Sequence, residues 1–299
     1  MSVAGVVEVN SRSAINRVQG MPFRWSLNPY AGCQHNCHYC YARVTHRYRE
    51  LTTADFSRRL FAKVNLADVL REEFRRPAWK HEPIVIGTST DPYQPLEGTY
   101  RITRRCLKAF LDAGNPGSIT TKGTLVVRDL DLLTDLSRET SFSVHVSLIS
   151  LNADLLRRLE PGAPPPTSRL RAVERLASAG IPVSVFLMPI LPGLTDRPSD
   201  LESVIRAASD HGANAVWPGV LRLAPGVKEW FLEFLKADFP ALHASYLRGY
   251  SSGAHPPPAY RERIDSRVSA ARGAVGLVRE GPRAPRRRGQ QYVLPLEAV

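Results

Sequence analysis

Cys33-Gln34-His35-Asn36-Cys37-His38-Tyr39-Cys40 holds three of the chain's four cysteines, and the fourth, Cys106, lies far away in sequence. Thiolates are soft ligands that favour zinc and iron–sulfur clusters over magnesium or calcium. A structural zinc site closes with four ligands. Its usual sequence form is two ligand pairs well apart, whereas here one triplet stands alone. His35, His38 or His46 would serve as a fourth zinc ligand. A four-iron cluster takes one cysteine per iron, so three cysteines would leave one iron open. Cys106 shares a helical face with Leu107, Phe110 and Leu111. A buried free cysteine behaves as a small hydrophobe, so Cys106 reads as core.

Outward from this loop the pattern alternates. A short strand over 26–29 leads into it, and a helical stretch over 41–50 follows. Leu66, Val69, Leu70 and Phe74 mark a helix over 65–76. Residues 83–87 read as a buried strand with the exit loop Thr88-Ser89-Thr90-Asp91. Thr103 is expected to cap a helix that runs to Ala113 and stops at Gly114. Strands over 118–121, 142–149, 182–188 and 213–220 then alternate with helices over 129–138, 164–179 and 199–209, and a last helical region begins at 227. Such alternation implies a parallel sheet with crossover helices. About six units fit, so the expected fold class is α/β, a partial (β/α)6 TIM-like barrel. In barrels of this kind function collects at the C-terminal ends of the strands. Thr88 to Asp91, Thr121, Lys122 and Ser147 gather at those ends. His145 is read as one residue out of step with the inward-facing set, and so as structural. The expected organisation is a leader over 1–20, a core domain over 21–240, a helical extension over 241–280 and a basic, disordered tail over 281–299.

With 299 residues, 43% of them hydrophobic, the chain can bury a full core. No apolar run reaches the roughly eighteen residues of a membrane span. The N-terminus lacks a basic region followed by an apolar block. The reducing cytoplasm is therefore the expected location, where clustered cysteines bind metal or carry redox chemistry and do not form disulfides. The formal charge is +12, with arginine far outnumbering lysine. A basic surface attracts nucleic acid or another polyanion, although part of the excess lies in the tail at Arg283, Arg286, Arg287 and Arg288.

The spacing Cys33-x-x-x-Cys37-x-x-Cys40, with Tyr39 before the third cysteine, resembles the signature of the radical S-adenosylmethionine (SAM) superfamily. The resemblance implies a [4Fe-4S] cluster held by Cys33, Cys37 and Cys40, with S-adenosyl-L-methionine bound at the open iron. Reductive cleavage of SAM would give a 5′-deoxyadenosyl radical that abstracts hydrogen from a substrate. A reductant such as flavodoxin or ferredoxin is implied as a partner. Further segments resemble the branch that includes spore photoproduct lyase. They are Asn28-Pro29-Tyr30-x-Gly32-Cys33, Cys40-Tyr41-Ala42-Arg43, the run from Gly87 to Glu97, Thr120-Thr121-Lys122-Gly123, Leu159-Glu160-Pro161-Gly162 with Arg169-Leu170, and the run from Pro189 to Gly193. The resemblance spans residues 22–265.

By that resemblance Thr90 and Ser147 would contact SAM through their hydroxyls, and Lys122 would meet the methionine carboxylate. A lysine at a strand end before glycine also suits a carboxylate as a point charge. Asp91 and Glu97 are expected to order the rim or to bind ribose hydroxyls. Tyr30, Tyr41 and Tyr93 are expected to pack the loop. In the lyases a hydrogen-donating cysteine stands two residues before the serine that matches Thr90. Here that position is Thr88, so the resemblance implies a lyase-like relative with another substrate. Charge and branch together make nucleic acid the candidate substrate. The competing expectation is a non-catalytic zinc protein that binds nucleic acid through its arginines.

Overall fold

The structure is a computed structural model and describes residues 5–277; the expected tail over 281–299 lies outside them. The strands are β1 (Gly5–Val9), β2 (Asn16–Arg17), β3 (Trp25–Leu27), β4 (Tyr30–Ala31), β5 (Arg59–Lys63), β6 (Ile84–Ile86), β7 (Gly117–Thr121), β8 (Ser143–Ser147), β9 (Val183–Ile190) and β10 (Ala215–Val220). The helices are α1 (Leu66–Arg75), α2 (Leu96–Tyr100), α3 (Ile102–Asp112), α4 (Leu130–Glu139), α5 (Ala153–Leu159), α6 (Pro166–Ser178), α7 (Pro198–Asp210), α8 (Val227–Asp238), α9 (Pro240–Gly249) and α10 (Pro258–Ala274).

The main sheet has the order β10-β9-β8-β7-β6-β3-β2. Its first six strands are parallel, and β2 pairs antiparallel with β3 at the edge. Strands adjacent in space follow one another in sequence, so the winding never reverses. Right-handed crossovers then place the connecting helices on one face. The other face curls inward, giving the open partial barrel that the alternation implied.

Strand alternation sorts the residues onto these two faces. Leu27, Ile84, Ile86, Ile119, Val144, Val146, Val183, Val185 and Val216 point outward to the helices and are almost wholly buried. Each such side chain contributes about 1.5–3 kcal/mol relative to exposure. Val85, Ser118, Thr120, His145, Phe186 and Trp217 point inward and remain partly open. His145 pairs in register with Thr120 and Ser184, and Ser147 with Phe186. His145 therefore shares the inward face with Ser147. The period of two requires this, and the out-of-step reading is corrected.

Two other expectations change. The described part of the expected leader, residues 5–20, is not loose, because β1 pairs in parallel with β5 in a second sheet of order β1-β5-β4. Buried Ala14 and its neighbour Ile15 donate backbone N–H groups to Glu73 Oε2 at 3.2 and 2.8 Å. Thr103 does not cap α3; it lies inside the first turn, and its hydroxyl donates to the Pro92 carbonyl at 2.6 Å. The orphan donors of that turn go to a buried carboxylate instead: Glu97 accepts from Thr103 N at 2.9 Å and Arg104 N at 3.2 Å. A carboxylate there also suits the helix dipole.

Candidate active site

The cysteine loop hangs between the two sheets. Strand β4 is followed by Gly32, whose φ of 78° belongs to glycine and whose Cβ, if present, would meet the Phe56 carbonyl at 2.7 Å. Cys33 N then donates to that same carbonyl at 2.9 Å. On the far side, His38 N donates to Leu159 O at 2.9 Å and Gly162 N to His35 O at 3.0 Å. A Cβ on Gly162 would meet the Gln34 carbonyl at 2.0 Å. The segment Leu159-Glu160-Pro161-Gly162 is thus the wall against which the cysteine loop is built.

Three buried carboxylates tie the loop to the barrel rim. Asp91 accepts from Thr121 Oγ1 and Lys122 N, both at 2.6 Å, and from Tyr93 N at 2.8 Å. Its Oδ2 also lies 3.2 Å from His35 Nδ1, at an angle that leaves that nitrogen without a hydrogen bond. Burial pushes the Asp91 carboxyl up, but His35 and the Lys122 and Thr121 donors outweigh it and hold the group well below the carboxylate range. Glu97 accepts from Tyr30 Oη and from Arg128 at 2.8 Å. Glu160 accepts from Tyr39 Oη and from Arg169. Arg169, 1% exposed, also donates to Pro164 O at 2.8 Å and Ser147 O at 3.1 Å. Glu97 is fully buried with both oxygens engaged, so it orders the rim and has none left for ribose.

The thiols of Cys33 and Cys37 are buried, and Cys40 is partly open. They share one electrostatic environment. Burial raises the Cys33 thiol, helped by Asp91, Cys37 and Cys40. Burial pushes Cys37 up to about 12, with Lys122 opposing and Glu160 and Cys40 adding. Cys106 is fully buried beside Leu107 and Phe110 on α3, and the charges that act on it are Glu97, Arg105, Arg71 and Lys63, none of them one of the three loop thiols. Lys122 Nζ lies 4.0 Å from Glu160 Oε1 and 5.7 Å from the centre of the Tyr39 ring. Burial alone would lower its ammonium; Cys37 and Glu160 more than offset this and raise it. Thr90 is buried on the loop side, donating to Gly32 O at 2.6 Å and accepting from Gln94 Nε2 at 2.9 Å. Ser147 is buried at the C-terminal end of β8. Thr90 meets the cysteine loop at Gly32 O, Lys122 reaches it through Glu160 and Tyr39, and Ser147 is linked to the same Glu160 through Arg169.

Three histidines were candidates for a fourth zinc ligand. His35 faces Asp91, His46 Nε2 lies 2.9 Å from the Arg59 carbonyl, and His38 stacks on Phe234 with ring centres 3.9 Å apart. Among the described residues no three His, Cys, Asp or Glu side chains converge as they would around one ion. A zinc site needs four ligands on one point. Ligands of a four-iron cluster each hold a different iron, so they stand around a volume.

A family model of the radical SAM superfamily matches residues 27–207. The chain belongs to that superfamily. It is 39% identical over 266 residues to an uncharacterised protein of Mycobacterium tuberculosis, covering 88% of this chain and 78% of that one. It is 29% identical over 191 residues to an uncharacterised protein of Methanocaldococcus jannaschii, covering 64% and 70%. Spore photoproduct lyase complexed with dinucleoside spore photoproduct shares the fold, with a TM-score of 0.66 at 14% identity over 90% of this chain and 79% of that one. A variant of that lyase with bound AdoMet and the same dinucleoside aligns equally, at 16% identity.

For a radical SAM enzyme the donor set fits: three thiols that act on one another, a fourth sealed in the core, and a lysine that acts on Cys37 and Cys40. Sequence reasoning missed the parts that hold this set. Gln34 and Gln94 bond each other's segments, Gln34 N to Gln94 Oε1 at 2.9 Å and Leu96 N to Gln34 Oε1 at 2.8 Å. The roles of Glu160, Arg169 and Arg43 were also unread.

Proposed function

We propose that Cys33, Cys37 and Cys40 hold a [4Fe-4S] cluster and that SAM binds beside it, with Lys122 facing its carboxylate. The observation that carries this is three thiols that act on one another electrostatically beside the rim of a partial barrel, while Cys106, buried on α3, acts on none of them. The bound cofactors would supply reductive carbon–sulfur cleavage and a 5′-deoxyadenosyl radical. The protein's own part is positioning. Thr90 fixes the Gly32 carbonyl, and so the entry to Cys33. Asp91 fixes the backbone of Lys122. Glu160 and Tyr39 hold the loop between Cys37 and Cys40. Ser147 offers a hydroxyl to SAM from the inward face.

Substrate would enter the concave face. Nucleic acid is the substrate class we favour, on the charge of +12 and on the fold shared with a lyase that binds a dinucleoside photoproduct. Thr88 donates no hydrogen atom as a thiol would; its Oγ1 accepts from Asn28 Nδ2 at 3.1 Å. We therefore assign a lyase-like reaction on a substrate other than the spore photoproduct.

Anaerobic reconstitution with iron and sulfide should give a brown protein. With dithionite and SAM it should release 5′-deoxyadenosine or methionine, faster with the right damaged DNA or RNA. Cys33→Ala, Cys37→Ala and Cys40→Ala should each lose the cluster, and Cys106→Ala should keep it. A colourless protein holding stoichiometric zinc would overturn the reading.

A further inference from the structure

Two arginines are sealed in this structure, Arg169 at 1% and Arg43 at 0% exposure. Arg169 has its carboxylate in Glu160. Arg43 has none within ion-pairing distance among the described residues. Its donors go to neutral acceptors: Nε to Cys37 O at 2.9 Å, Nη1 to Thr53 O at 3.1 Å, and Nη2 to Asn36 O at 3.1 Å and Asn36 Oδ1 at 2.6 Å. The guanidinium lies 4.5 Å from the centre of the Trp230 ring. These four bonds engage all three nitrogens but do not neutralise the charge. Taking a full charge out of water without a counter-ion costs several kcal/mol.

Three of the four acceptor contacts that hold Arg43 are in the cysteine loop, and the fourth, Thr53 O, lies three residues before Phe56, whose carbonyl accepts from Cys33 N. Cys37 and Asn36 lie between the first and third cysteines, and Arg43 follows the third by three residues. We propose that Arg43 is the built-in counter-charge of the cluster and raises its reduction potential. The proposal rests on the cluster assigned above. Three thiolates outweigh a doubly positive four-iron core by one negative charge, and taking up one electron from an external one-electron reductant adds a second. No bond forms or breaks in that step. A fixed cation beside the site stabilises the reduced form more than the oxidised one, and net charge and nearby hydrogen bonds are among the factors that set such potentials. Arg43 is in this sense a positioning and tuning residue, not a catalytic one.

The test is a redox titration of the reconstituted protein, followed by the paramagnetic signal of the reduced cluster, with no turnover needed. Arg43→Met removes the charge and keeps the apolar stem. One-electron reduction should become at least tenfold less favourable, a midpoint ~59 mV more negative. Arg43→Lys keeps the charge and should stay near the wild-type midpoint. A purely structural role would instead lower cluster content equally in both variants and leave the midpoint of what remains unchanged, which would overturn the proposal. If Arg43→Met takes up no cluster, Asn36→Asp decides. It preserves the bond to Nη2, suits the left-handed φ of 52° at this position, and gives the guanidinium a carboxylate. Its midpoint should fall, and an unchanged one would overturn the proposal. Failure of the wild-type protein to assemble any cluster would instead sink the reading of the preceding subsection.

Discussion

The same six strands carry two faces of opposite character. Outward lie Ile84, Ile86, Ile119, Val144, Val146, Val183, Val185 and Val216, closed over by helices. Inward lie Ser118, Thr120, His145, Ser147 and Ser184, with Phe186 and Trp217 among them. The first face is β-branched and dry, and its side chains do nothing but pack. The second carries hydroxyls and an imidazole on a surface that is only partly covered, with Ser147 and Ser184 buried and Ser118, Thr120 and His145 partly exposed. One backbone therefore supplies a rigid wall on one side and an adaptable chemical surface on the other. Function can vary on the inner face without disturbing what holds the strands together.

The division is sharpest where it fails. Glu160 and Arg169 stand on the site side but are as buried as the outer core. Removing one partner leaves the other charged and unpaired. Glu160→Ala should cost about 3–5 kcal/mol, read as a lower denaturant midpoint, and should free the wall behind Cys37. A loss below about 1 kcal/mol would mean that the pair behaves like a surface one. Between adjacent residues of one strand the contrast should be nearly as large. Ile119→Ala should cost about 2–5 kcal/mol by leaving a cavity, while Thr120→Ala should stay within about 0.5 kcal/mol. Equal losses at the two positions would break the comparison outright.

The outer face was the legible one. Short strands alternating with helical stretches made β6 to β10 legible as a parallel sheet, because the outward positions of each strand are apolar and buried. The three cysteines were equally plain, since local spacing alone brings them together. What stayed hidden depends on contacts distant in sequence. Strand β5 is paired to the first residues of the chain, 54 positions away between Gly5 and Arg59, and neither partner announces the other. Glu97 caps a helix from inside the core, where a nearby threonine looked sufficient. Glu160, Arg169 and Arg43 became intelligible only when their hydrogen-bond partners were placed. His145 was assigned to the wrong face because polar inward residues give no apolar stripe from which to count.

His145 also provides the finest test of how dry the inner face is. Its Nδ1 lies 2.7 Å from Ser184 Oγ, and its ring stacks on Phe186 with centres 4.4 Å apart. Burial pushes its pKa down to about 4, against about 6.5 in an unfolded chain. The sign follows from proton counting. Above pH ~6.5 the ring is neutral in both states and its contribution to stability is complete. As pH falls toward 4 the unfolded chain takes up a proton that the folded one refuses, so stability is lost. The full effect is at most about 3 kcal/mol, reduced to the extent that the ring still meets solvent, and about 2 kcal/mol of it should be gone by pH 5. His38, also pushed down to about 4, adds a loss of the same sign, so the useful quantity is a difference. Urea unfolding at pH 7 and pH 5 should show a shallower decline for His145→Gln than for the unsubstituted protein. Parallel declines would place the imidazole in water, and the inner face would then be an open surface and not a sheltered one.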